Sequence, residues 1–91
     1  YLVIPTKLQI DTETLRPQFE ILKRIDPELT LENVFQENER LTEEVLGQCR
    51  AEGVDVVDPR AGLRARKNGR QLYYERDMHL NPDGAIAIAE I

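Results

Sequence analysis

Two short apolar runs, each stopped by a proline, set the strongest limit on how this chain folds. Tyr1-Leu2-Val3-Ile4 ends at Pro5, and Val54-Asp55-Val56-Val57 ends at Asp58-Pro59. Continuous apolar runs of this length suit strands covered on both faces, and proline lacks the N–H that would continue a ladder. Thr6 to Ile10 leads out of the first run. Between the runs the signals turn helical. Thr12 or Thr14 can cap a first helix with Pro17 in its first turn, and Leu15, Phe19, Leu22 and Ile25 follow at helical spacing as far as Asp26-Pro27. Thr30 can cap a second helix from about Leu31 to Glu52, closed by Gly53. Val34, Leu41, Val45 and Cys49 form its apolar stripe, interrupted by Asn38, while Glu37, Glu39, Glu43 and Glu44 make its outer face acidic. Strand, helices, strand is the pattern of a right-handed parallel crossover, so the expected class is α/β.

Beyond the second run, Arg60 to Arg70 has room for one or two helical turns ending near Asn68-Gly69, and Leu72-Tyr73-Tyr74 reads as a brief extended piece. Asn81 is a good N-cap and Pro82 a good first helical residue. The following Ala85-Ile86-Ala87-Ile88-Ala89 is apolar on nearly all sides, which predicts a deeply covered helix. At 91 residues the chain is one small domain at most. It opens on a strand pattern and stops inside a helix pattern, so both ends are expected to be cut from something longer. No apolar run approaches the ~20 residues that span a bilayer.

The net charge is −5, from 12 basic and 17 acidic residues, which argues against nucleic acid as a partner because phosphate binding needs a basic surface. The charge is uneven. Asp26 to Glu52 carries eight acids against Arg40 and Arg50, whereas Arg60 to Arg70 holds five basic residues and no acid. Two readings are open: solvated faces, or a basic rim that steers an anionic substrate. Cys49 is alone, so no internal disulfide forms. It falls on the apolar stripe, where a thiol is core rather than nucleophile. One histidine and scattered carboxylates lack the spacing of a metal site. The chain contains no serine.

The chemistry-bearing candidates are Asp77 and His79. His79 is the one histidine, two residues after an aspartate and two before the Asn81-Pro82 helix start. Imidazole is the side chain whose unperturbed pKa lets it take and return a proton near neutrality. In an irregular loop, residues i and i+2 can both turn inward, so Asp77 can accept from the ring Nδ1–H and leave Nε2 for a nucleophile. The alternative is a satisfied structural histidine with Asp77 capping a turn. Tyr73, Tyr74 and Met78 flank the pair as packing or pocket wall. Lys7 and Arg76 are either solvated cations or contacts for an anionic group.

Tyr73-Tyr74-x-x-Asp77-x-His79-Leu80-Asn81-x-x-Gly84 resembles the Asp-x-His block of the SGNH (GDSL-like) hydrolase superfamily. Val3-Ile4-Pro5-Thr6-Lys7-x-Gln9 and Gly53-Val54-Asp55-Val56-Val57-Asp58 resemble two strand ends of the same superfamily, so the similarity spans most of the chain. The resemblance implies a three-layer α/β/α sandwich with a parallel, flavodoxin-like sheet and a Ser-His-Asp triad in which His79 is the base and Asp77 its orienting partner. This chain departs from that pattern. It lacks the serine block, and Asn33, Asn38, Asn68 and Asn81 lie in the wrong contexts for the oxyanion asparagine.

Residues 1–91 are therefore expected to be the C-terminal part of an SGNH domain, with two strands and about three helices. The implied function is that of an esterase or O-acyltransferase acting on an O-acyl (acetyl) ester of a small molecule or carbohydrate, without a cofactor. The chain should be inactive alone, since oxyanion stabilisation is usually the largest part of acyl-transfer catalysis. The alternative is a non-catalytic α/β binding module that keeps the block as scaffold. The expected partners are the rest of the parent domain or a second copy paired through an exposed strand edge. The residues leave the compartment open; the resemblance implies an extracytoplasmic one.

Overall fold

The computed structural model describes residues 2–75 and 77–91. Helix α1 is a single turn, Lys7–Ile10, followed by a 3-10 turn, Thr12–Leu15, and by α2, Arg16–Leu22. Helix α3, Leu31–Ala51, is the longest; α4 is Arg60–Lys67 and α5 is Pro82–Glu90. α1 packs against α3 and α4, and α4 packs against α5. The molecule measures 44 × 29 × 18 Å with a radius of gyration of 14.3 Å. A compact chain of this length would have a radius of about 12 Å.

The expected α/β sandwich with two parallel strands is not what the chain forms. Among the described residues there is no strand and no sheet, only isolated bridges between Leu2 and Val57 (parallel) and between Tyr73 and Leu80 (antiparallel). The first bridge is supported by Val3 N–H donating to Val57 O at 3.3 Å. It extends no further because Pro5 has no donor and Thr6 already belongs to a helix start, where its N–H donates to Gln9 Oε1 at 2.9 Å. Leu2, Ile4 and Val57 are 40%, 55% and 45% exposed, so no second layer covers these side chains, whereas parallel sheets are normally buried on both faces. The part of the first run at Tyr1 lies outside the described residues. Self-association through a strand edge loses its basis with the strand.

Local signals explain the helices that do form. Thr30 Oγ1 accepts from Asn33 N–H at the start of α3. At its end Gly53 takes a left-handed φ of 75° while Val54 N–H donates to Cys49 O (2.8 Å) and Gly53 N–H to Arg50 O (3.1 Å), the paired bonds of a Schellman motif. Thr12 and Thr14 do not cap forward; their hydroxyls donate backwards to Leu8 O and Asp11 O, both at 2.7 Å. Pro17 falls in the first turn of α2.

The core is small: Ile10, Leu63, Leu72, Tyr73 and Ala87 are buried together, with Leu80 and Ile88 packed on them. α3 buries Leu31 and Leu46 instead of the expected stripe, and Leu41 and Val45 are each 48% exposed. Asn38 is half-buried on its packed side, where the Gln9 amide donates to Thr42 Oγ1 (3.0 Å), Glu39 Oε1 (3.3 Å) and Asn38 O (3.5 Å). The inner face of this helix is thus partly polar, and the apolar stripe lies to one side of it. α5 is not deeply covered: Gly84 and Ala87 are buried, while Ile86 is 59% exposed.

Candidate functional site

The site is built on the turn that joins Tyr73 to Leu80. Tyr74 N–H donates to His79 O at 3.0 Å and Asn81 N–H to Leu72 O at 2.9 Å, so the chain doubles back and leaves Asp77, Met78 and His79 at its tip. Asn81 fixes the return. Its Oδ1 accepts from Gly84 N–H (2.9 Å) as the N-cap of α5, and its Nδ2 donates to Gln71 O (2.8 Å). Gly84 allows the helix to sit this close, because a Cβ there would lie 2.0 Å from Leu72 O.

Asp77 and His79 meet. Asp77 Oδ1 accepts from His79 N–H at 2.9 Å and pairs with His79 Nδ1. A carboxylate on Nδ1 selects the tautomer with its proton there. The hydrogen bond from the His79 backbone, and next that from the ring, hold the Asp77 carboxyl below its ordinary value, so it is charged at neutral pH. Among the described residues nothing bonds Nε2, which is free to take a proton. The His79 side chain is 85% exposed and that of Asp77 53%, so water screens the pair.

Beneath the turn lie two buried charged residues. Lys7, 2% exposed, donates from Nζ to Tyr74 O (2.7 Å) and Glu75 O (2.8 Å); it is neither solvated nor anion-bound. Asp11, fully buried, accepts through Oδ2 from Leu72 N–H and Tyr73 N–H, each at 3.1 Å. Its Oδ1 has the Lys67 ammonium 3.2 Å away as a charge partner without a well-directed hydrogen bond. The buried Tyr73 hydroxyl donates to Pro5 O. Neither role was read from the sequence, although Lys7 and Asp11 stand four apart around the apolar Leu8 and Ile10, a spacing that puts both on one helix face. A cleft of about 170 Å³ beside the turn is lined by Lys7, Leu15, Gln18, Glu75, Asp77 and Met78. Tyr74 and Met78 are half exposed. Arg76 lies outside the described residues.

The other candidates lie elsewhere. Cys49 is half-buried and lines a groove of about 360 Å³ with Leu41 and Val45, away from the histidine. The basic run is mostly spent internally: Arg60 pairs with Glu39, Glu43 and Asp58, Arg64 with Glu39, and Lys67 with Asp11. Among the described residues no group of histidine, cysteine and carboxylates is arranged to hold a metal ion. The side-chain amides of Asn33, Asn38 and Asn81 donate to Glu28 O, Val34 O and Gln71 O, and Asn68 sits in a left-handed turn, so none is poised over His79.

An Asp-x-His pair thus stands at a loop tip ahead of an asparagine-capped helix. The chain belongs to the SGNH hydrolase-like family: the family described as "SGNH hydrolase-like domain, acetyltransferase AlgX" matches residues 1–91. Membership carries an O-acyl-related function of the SGNH type. Among curated proteins and solved structures the chain has no significant match. No helix of the described residues is long and apolar enough to cross a membrane.

Proposed function

We propose that Asp77 and His79 are the acid–base half of a Ser-His-Asp triad whose serine lies outside these 91 residues, and that the parent protein is an esterase or O-acyltransferase acting on an O-acetyl or similar ester. The observation that carries this reading is the Asp77–His79 Nδ1 pair with Nε2 unbonded. In the reaction, Nε2 takes the proton as the serine oxygen bonds to the ester carbonyl carbon. The resulting imidazolium is stabilised by the charged Asp77. Nε2–H then gives that proton to the departing alcohol oxygen as the ester C–O bond breaks. The acyl group passes from serine to water or to an acceptor hydroxyl by the same steps reversed.

The exposure of the pair fits a half-site, because a triad acts in a water-excluded setting with oxyanion donors, and these residues supply neither. The same exposure supports a second reading, a non-catalytic binding module that keeps the block as scaffold. A serine-bearing motif in the flanking parts of the full gene product favours the enzyme; its absence there favours the module.

The experiment is p-nitrophenyl acetate hydrolysis by the full-length protein and its His79→Ala variant. General-base loss is expected to lower kcat roughly 10²- to 10⁴-fold. Equal rates in the two proteins remove His79 from the mechanism.

A further inference from the structure

We infer that Lys7 is a positioning residue for the Asp77–His79 turn, an inference that rests on the proposed role of His79 as base. The ammonium of Lys7 is buried at 2% exposure, and among the described residues no carboxylate pairs with it. A charge removed from water persists only where hydrogen bonds replace its hydration. Here the replacements are the carbonyls of Tyr74 and Glu75, at 2.7 and 2.8 Å. Glu75 stands two residues before Asp77, and Lys7, Glu75 and Asp77 line one cleft.

The contact is half of a matched arrangement. Lys7 and Asp11 are one helical turn apart, and they serve four consecutive residues of the segment that leads into the turn. Asp11 accepts from the N–H groups of Leu72 and Tyr73; Lys7 donates to the carbonyls of Tyr74 and Glu75. Asp11 fixes the buried end, and Lys7 fixes the end nearest the chemistry. Without Lys7, the Tyr74 and Glu75 carbonyls are released and the tip carrying the pair swings relative to the core. Productive acid–base geometry tolerates little of that movement.

The test uses the full-length protein carrying Lys7→Met or Lys7→Arg. Methionine keeps much of the stem without the donors, and arginine keeps a cation with N–H groups. Lys7→Met is expected to lower kcat on p-nitrophenyl acetate roughly 10- to 100-fold with KM within about twofold, as misplacement by ~1 Å does. Lys7→Arg is expected to recover most of that loss. Hydrogen–deuterium exchange is the second readout: in Lys7→Met the peptide covering 74–81 should exchange roughly tenfold faster while α3 keeps its protection.

Wild-type kcat with wild-type exchange in Lys7→Met overturns the inference. So does faster exchange spread evenly over α3 and 74–81, because Lys7 would then support the whole fold and not the turn. Should Lys7→Met fail to fold, Lys7→Gln, with an N–H donor on a shorter stem, is read in the same two ways. Full activity in His79→Ala overturns the base assignment separately, and the exchange comparison still decides whether Lys7 holds the turn.

Discussion

Tyr73 shows how much one side chain contributes beneath the site. Its ring is 1% exposed within the core, and its hydroxyl donates to the buried Pro5 carbonyl. Burial, and then the nearby Asp11 charge, push the phenol up to about 12. A folded value above the unfolded one of ~10 means that the neutral phenol stabilises the fold, fully below pH ~10 and progressively less as pH rises towards 12. Absorbance at 295 nm should therefore show a late phenolate step that disappears in Tyr73→Phe. Its persistence in that variant would assign the step to another tyrosine. Asn81 and Gly84 are explained at the same scale. One caps α5 and ties it to Gln71, and the other has no Cβ to strike Leu72 O. The spacing of the Asn-x-x-Gly motif thus has a packing cause independent of any catalytic one.

At the scale of elements, α3 and α4 are joined by charge more than by apolar contact. Arg60, 6% exposed, bonds Asp58 Oδ1 (3.0 Å), Glu39 Oε2 (2.6 Å) and Glu43, and Arg64 stands over the Phe35 ring at 5.9 Å. The acidic and basic runs of the sequence are therefore partners. The Arg60 hydrogen bond holds the Asp58 carboxyl below its ordinary value. A depressed folded value contributes stability above the unfolded carboxylate pKa of ~3.9, and that contribution is lost as pH falls through the folded value. Arg60→Met is expected to cost about 2 kcal/mol near neutrality, between exposed and buried ion pairs. It should also flatten the acid limb of stability below pH ~4. Urea midpoints at pH 7 and pH 3 measure both effects, and an unchanged midpoint at pH 7 would mean the network adds nothing.

The legible parts of these elements were local. Thr30, Gly53 and the Asn81-Pro82 start carry their caps within a few residues. The packed face of α3 was not legible, because its middle is polar and is specified by Gln9, Arg60 and Arg64 from distant positions. Helix α1 did have a signal, Thr6-Lys7-Leu8-Gln9, the spacing of a capping box. It was masked by the strand-like run before it.

For the whole molecule, apolar periodicity misled where it had no second layer to act on. Val54–Val57 and the first run have strand composition, but a parallel ladder needs neighbours, and among the described residues one bridge is all they make. Leu22 and Ile25 follow helical spacing and remain 40% and 82% exposed, so spacing alone did not bury them. The contact between Asp77 and His79 was legible because two residues apart in one loop is a local relation. Their support was not, since the bonds of Lys7, Asp11 and Tyr73 span 61 to 68 positions.

That separation has a consequence in time. The turn gains its support only after a stretch near residue 10 and one near residue 73 have met, a closure that costs entropy before any bond rewards it. Helix α3, capped by its own neighbours, can form without waiting for this encounter. Asp11→Asn is accordingly expected to speed unfolding and leave the refolding rate almost unchanged. Stopped-flow kinetics on the parent protein would reveal the opposite as a slowed refolding limb. The turn that brings Asp77 and His79 together is thus among the last features the chain acquires and among the first it loses.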